Sequence, residues 1–214
     1  MCKTVETSLA TYAVSFVCVC VCLQLAGQSA GIRFACLFIM TISTMQLLDA
    51  GLWWSIDNRA KSLNHVITRY IIPVVLASEV LVSYFAVKYI FGWENAYYEL
   101  GLATFVAFIL GGWWFKYCPK HMYTAPHPTE QYLHWCGVEL NALTRALFLF
   151  FLLAPVLLGL PKNETAIKYV LAIPITMTLL VNFNKITFGS RWCWSSNITS
   201  IILTAYAVYI RYFK

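Results

Sequence analysis

Seven apolar runs, each near the length that a helix needs to cross a bilayer, constrain this chain more than any other feature. A helix rises about 1.5 Å per residue, so about 20 apolar residues span a hydrocarbon core roughly 30 Å thick. The runs cover residues 8–26, 34–54, 70–91, 96–115, 137–160, 166–183 and 192–210. Each is expected to be α-helical, because lipid offers no partner to exposed backbone N–H and C=O groups. Composition agrees: 11% of the residues are charged, where a soluble domain carries about 25%. The expected fold is all-α, a polytopic membrane protein with a bundle of about seven transmembrane helices forming one domain, residues 1–214. The first run is longer than a signal-peptide core, and one Lys and Glu6 precede it. It reads as a retained span.

Ionisable side chains inside such runs are the informative exceptions. A charge at the centre of a span costs roughly 2.5–3.5 kcal/mol on insertion scales, so it faces protein, water or a partner. Asp49 stands near the end of the second run, in Met45-Gln46-Leu47-Leu48-Asp49-Ala50-Gly51-Leu52-Trp53-Trp54. Glu79 lies in the third run and Arg145 in the fifth.

Successive spans alternate in direction. Residues late in runs two, four and six therefore share a depth with residues early in runs three, five and seven. Gln46, Asp49, Arg145 and Asn197 fall in one leaflet, taken here as the inner one, with Glu79 nearer the middle. These five are the candidate lining of a substrate or ion pathway. They read equally as a structural lock if they pair with one another, and Asp49 and Arg145 are the best matched in depth.

Trp53, Trp54, Trp113, Trp114, Trp192 and Trp194 share that leaflet, as an aromatic belt or as cavity lining. Neighbours on a helix point about 100° apart. In Trp53-Trp54 and Trp113-Trp114, one ring can face lipid while the other faces the bundle.

The formal net charge is +6, but the Lys and Arg residues lie mostly between apolar runs and form no basic tract. They point to anionic headgroups, not to nucleic acid. With seven spans, the side holding the N-terminus carries eight Lys and Arg against six on the other. That excess predicts a cytoplasmic N-terminus. The longest connection, Lys116 to Leu133, lies on the same side. Its Ala125-Pro126-His127-Pro128 stretch is expected to be extended. Thr129 is placed to cap a helix that starts at Glu130 and continues into the fifth run.

The eight Cys residues show no disulfide pattern. Cys18, Cys20 and Cys22 lie inside the first run, where thiols behave as small apolar side chains. His121, His127 and His134, with Glu130 and Cys118, gather around the long connection, but their spacing matches no zinc signature. No Ser-His-Asp order, phosphate-binding Gly-rich loop or HExxH string occurs. No cofactor or metal is expected. A lipid-active enzyme built on the His-bearing loop is the catalytic alternative. The expected partners are membrane lipids and, for a pathway, a small solute or ion.

Two seven-span comparisons fail on specific residues. Opsins hold retinal on a Lys in the middle of the last span, whereas Lys185 precedes that run and Lys214 follows it. Transporters of the PQ-loop type carry Pro-Gln pairs, and this chain has none. A third comparison fits. Met45-Gln46-Leu47-Leu48-Asp49 with Trp53-Trp54, and Phe188-Gly189-Ser190-Arg191-Trp192-Cys193-Trp194-Ser195, resemble motifs of poorly characterised multi-span membrane proteins of large DNA viruses and eukaryotic microbes. In those proteins an acid stands near the end of the second span, and a Gly-Ser-x-Trp-Cys-Trp string opens the last. The resemblance implies the fold and a viral source, and no activity.

The first functional expectation is a transporter or channel-like protein with a polar cavity open to the inner leaflet. The alternative is a structural or assembly protein of a membrane or virion, in which the same residues hold the helices together.

Overall fold

The computed structural model describes residues 3–110, 123–128, 132–135, 142–182 and 193–213. Among these residues the chain forms seven helices: α1 (Val5–Ala26), α2 (Ala30–Asp57), α3 (Lys61–Phe91), α4 (Ala96–Phe108), α5 (Ala142–Gly159), α6 (Lys162–Asn182) and α7 (Cys193–Phe213). Five of them, α1, α2, α3, α5 and α6, are long and apolar enough to cross a membrane. Helix α7 has 21 residues, but Ser195, Ser196, Asn197, Thr199 and Ser200 make its first half polar.

The helix ends follow from local chemistry. Thr4 opens α1 with a reciprocal cap: its side chain accepts from the Thr7 N–H, and the Thr7 hydroxyl accepts from the Thr4 N–H. Ser29 caps α2 by accepting from the Ile32 N–H at 3.3 Å, and Asn95 caps α4 by accepting from the Tyr98 N–H at 3.0 Å. Between α3 and α4 the chain reverses at Gly92, whose φ of 70° lies in the left-handed region that a side chain would disfavour. That reversal is the tight turn expected at Gly92-Trp93-Glu94-Asn95.

Two prolines leave visible marks. Pro73 has no N–H for the Arg69 carbonyl four residues earlier, and a π turn occupies Ile67–Ile71 just before it. Pro155 begins a second π turn, Pro155–Gly159, at the end of α5.

Helix α2 lies at the centre, packed against α1, α3 and α7; α1 also packs on α7, α3 on α5, and α6 on α7. The main core gathers Phe34, Phe38, Ile39, Val80, Tyr84, Phe105, Phe151, Leu152, Leu171 and Leu203 from six helices. A smaller cluster of Met45, Leu52, Trp53, Ile67, Ile72, Leu133 and Trp135 closes one end.

Helices α1 and α7 present faces inverted relative to a soluble bundle. Helix α1 buries Ser8, Thr11 and Ser15 while exposing Leu9, Val14, Phe16, Val17 and Leu23. Helix α7 buries Ser195, Ser196, Asn197, Thr199 and Ser200 while exposing Ile198, Ile201, Ile202 and Val208. Such an arrangement wastes apolar burial in water. It suits lipid, where small and polar residues mediate helix contacts.

The long connection differs from expectation. Ala125–Pro126 (β1) pairs antiparallel with Leu133–His134 (β2), and the His127 N–H donates to the Tyr132 carbonyl at 2.7 Å. Residues 132–135 are therefore not part of a helix running into α5. Backbone pairing, and the burial of Leu133 and Trp135 against α2 and α3, outweigh the helical preference read there. Thr129 and Glu130 lie outside the described residues.

Candidate functional site

All five candidate pathway residues are buried. Gln46 and Asn197 belong to a seam where α1, α2 and α7 meet. The Gln46 Nε2 donates to Ser196 Oγ at 2.6 Å, and Ser15 Oγ donates to Asn197 Oδ1 at 3.0 Å. Ser200 Oγ lies 3.2 Å from Ser15 Oγ as donor, and Cys22 Sγ and Thr204 Oγ1 are 3.5 Å apart one turn further on. Small side chains let these helix axes approach closely, and the hydroxyls then satisfy one another across the contact.

Asp49 sits at the end of the molecule closed by the β pair. It is 2% exposed, and its Oδ1 accepts from the indole N–H of Trp135 at 3.2 Å. Trp53, one turn further along α2, is buried in the same cluster, while Trp54 is 48% exposed. The 100° offset between neighbours separates them as helical geometry requires. Trp113, Trp114 and Trp192 lie outside the described residues. Trp194 stands in the first turn of α7, and its side chain is likewise outside them.

Glu79 is different. It is 1% exposed, and neither carboxyl oxygen has a hydrogen-bond partner among the described residues. An ionised carboxyl in that position costs several kcal/mol, roughly 2.5–3.5 at mid-membrane. Arg145 is buried on α5. The expected pairing of Arg145 with Asp49 or Glu79 is not found: among the described residues the ion pairs are Lys88 with Glu99 at 2.7 Å and Lys88 with Glu94 at 3.6 Å.

Of the loop residues considered for metal, His127 and His134 are described, with ring centroids 5.7 Å apart across the β pair. His121, Glu130 and Cys118 lie outside the described residues. Cys18, Cys20, Cys22 and Cys36 are free thiols.

Several polar contacts escaped the sequence. Trp135 and Asp49 are 86 residues apart. Asn64 holds the strand-forming segment to α3: its Nδ2 donates to the Thr124 carbonyl at 3.0 Å, and its Oδ1 accepts from the Thr124 N–H at 2.9 Å. At the opposite end, the Tyr84 hydroxyl donates to the Glu99 carboxyl that also receives Lys88, tying α3 to α4. In α1 the buried Ser8, Thr11, Ser15, Val19, Cys22 and Ala26 follow spacings of three and four and form one helical face.

An apolar groove of about 540 Å³ lies between α5 and α6, lined by Leu149, Leu153, Leu157, Thr176 and Leu180 among others. A pocket of about 260 Å³ lies where α2 passes into α3. None of the five candidate pathway residues lines either one. No family model, no curated protein and no solved structure matches this chain.

Proposed function

We propose that the chain is an integral membrane protein, a single bundle of seven spans, whose buried polar residues serve mainly to hold its helices together in a structural or assembly role. The observation that carries this reading is the inverted packing of α1 and α7, with Ser, Thr and Asn inward and Val, Ile and Phe outward. In the seam, Ser15, Gln46, Ser196, Asn197 and Ser200 are matched to one another as helix-to-helix hydrogen bonds. The N-terminus is assigned to the cytoplasmic side on the excess of Lys and Arg there. Membership of the viral and microbial multi-span group, on the Met45–Trp54 and Phe188–Ser195 strings, is part of the same proposal, with membrane lipids as its partners.

The test is spin labelling of single-Cys variants in a background that retains the fold. Labels at Val17 and Ile201 should be accessible to membrane-dissolved oxygen and shielded from a water-soluble relaxing agent. Labels at Ser15 and Ser200 should be shielded from both. Free access of the aqueous agent to Val17 and Ile201 would overturn the membrane assignment.

Glu79 supports a second reading, a pathway for a proton or small cation. A carboxyl without a protein partner is costly to keep unless it has a task. Ion flux into proteoliposomes decides between the two. On the structural reading, flux equals that of empty liposomes. Flux that Glu79→Gln abolishes establishes the pathway.

A further inference from the structure

The pocket where α2 passes into α3 is lined by Ser55, Ile56, Arg59, Lys61, Asn64, Tyr123 and Thr124. Its floor is rigid. Ser55 is buried and donates to the Leu52 carbonyl at 2.6 Å. Asn64, Thr68 and Thr124 are buried and joined to each other by hydrogen bonds of 2.8–3.2 Å. Its charge is one-sided. Arg59 and Lys61 both line it, and among the described residues neither belongs to an ion pair and no carboxylate lines it.

The depth of the pocket follows from its surroundings. Trp54 is exposed just over one turn before Arg59. Helix α3 exposes Leu63, Val66, Tyr70 and Val74 from its first turn onward. These spacings of three and four draw one apolar stripe that begins beside the pocket. An exposed Trp at the start of such a stripe is a residue that sits at headgroup level.

We propose that this pocket binds the phosphate group of an anionic membrane phospholipid, with Arg59 and Lys61 meeting the phosphate oxygens and Trp54 and the α3 stripe bordering the acyl chains. A guanidinium presents paired donors that match phosphate geometry, and an ammonium adds a mobile point charge. The lipid is favoured over free phosphate because the apolar border would be idle for a soluble anion. The proposal rests on the membrane reading above. That reading is judged at Val17 and Ile201, away from this pocket, so either can fail without the other.

The backbone supplies a clean variant. Arg59 closes α2 with φ of 55°, and the Ala60 N–H donates to the Ser55 carbonyl at 2.7 Å. Glycine is at ease in that conformation. Arg59→Gly should therefore raise the melting temperature while removing the cation. The full chain in neutral detergent is titrated with dioctanoyl phosphatidic acid, dioctanoyl phosphatidylcholine and inorganic phosphate, read by calorimetry. Phosphatidic acid should bind tightest. Arg59→Gly combined with Lys61→Gln should weaken it by about 30-fold, a cation near a charged surface contributing roughly fivefold. Lys3→Gln, which removes a cation at the same end of the molecule, should change it little.

Three results overturn the proposal. Equal binding of inorganic phosphate and phosphatidic acid makes this a free-anion site. Equal loss from Lys3→Gln reduces it to diffuse surface charge. Unchanged affinity in a double variant that melts at or above the wild-type temperature removes Arg59 and Lys61 from binding.

Discussion

The hydroxyl of Tyr98 donates to the carbonyl of Phe151 at 2.5 Å. That oxygen's usual helical donor would be the N–H of residue 155, and residue 155 is proline. One residue along, the Leu152 carbonyl accepts from Ser83 Oγ at 2.8 Å. Side chains of α3 and α4 thus take over where the α5 ladder is interrupted, which is how a bundle in lipid tolerates proline within a span. Tyr98 is further held by Tyr84, Trp93 and Phe151, with ring centroids 5.2–5.6 Å away.

Tyr98→Phe should therefore cost about 1–3 kcal/mol, the range for a buried acceptor left without its donor. In a Pro155→Ala background, where a backbone N–H is restored, the same change should cost measurably less. Reversible unfolding in mixed micelles gives both values, and equal costs in the two backgrounds would break the link to Pro155.

Gly159 ends α5 against α3. A Cβ added there would come within 2.5 Å of Val87 Cγ1 and 2.8 Å of the Trp93 ring. Gly159→Ala is expected to destabilise by about 1–3 kcal/mol through overpacking. Trimming the neighbour with Val87→Ala in the same chain should recover part of the loss. A Gly159→Ala protein as stable as the wild type would mean that Trp93 moves aside freely.

In the α1–α7 seam, a double-mutant cycle of Ser15→Ala and Asn197→Ala isolates one interhelical hydrogen bond. The coupling should be about 0.6 kcal/mol and no more than roughly 1.7, the range for such bonds in membranes. A coupling of zero would place the stability of the seam in packing alone.

Removing the carboxyl of Glu79 should help the fold. Glu79→Leu replaces a buried group without a hydrogen-bond partner by an apolar one of similar size, and stability should rise by about 1 kcal/mol or more. Should ion flux be found, the same variant should lose it, so that gain of stability and loss of activity appear together. A less stable Glu79→Leu protein would show that the carboxyl has a stabilising contact.

The positions of the helices were determined by the chain alone. Apolar runs of this length have one way to satisfy their backbone groups, so the run at 34–54 becomes α2 and the run at 70–91 lies within α3 whatever packs beside them. Local chemistry also set the reversal at Gly92 and the separation of Trp53 from Trp54.

Rotation of each helix about its axis was decided only in the folded molecule. In water an apolar stripe dictates which face turns inward, but a helix such as α1 is apolar nearly all round. Its orientation therefore rests on which partner's small and polar side chains fit Ser8, Thr11 and Ser15. Depth is one coordinate of three, which is why Asp49 and Arg145 could be matched along the membrane normal and still not pair. The donor to Asp49 came from Trp135, 86 residues away on a segment that the sequence assigned to a helix. Its position was set by the burial of Leu133 and Trp135 against α2 and α3, a contact that no local pattern encodes.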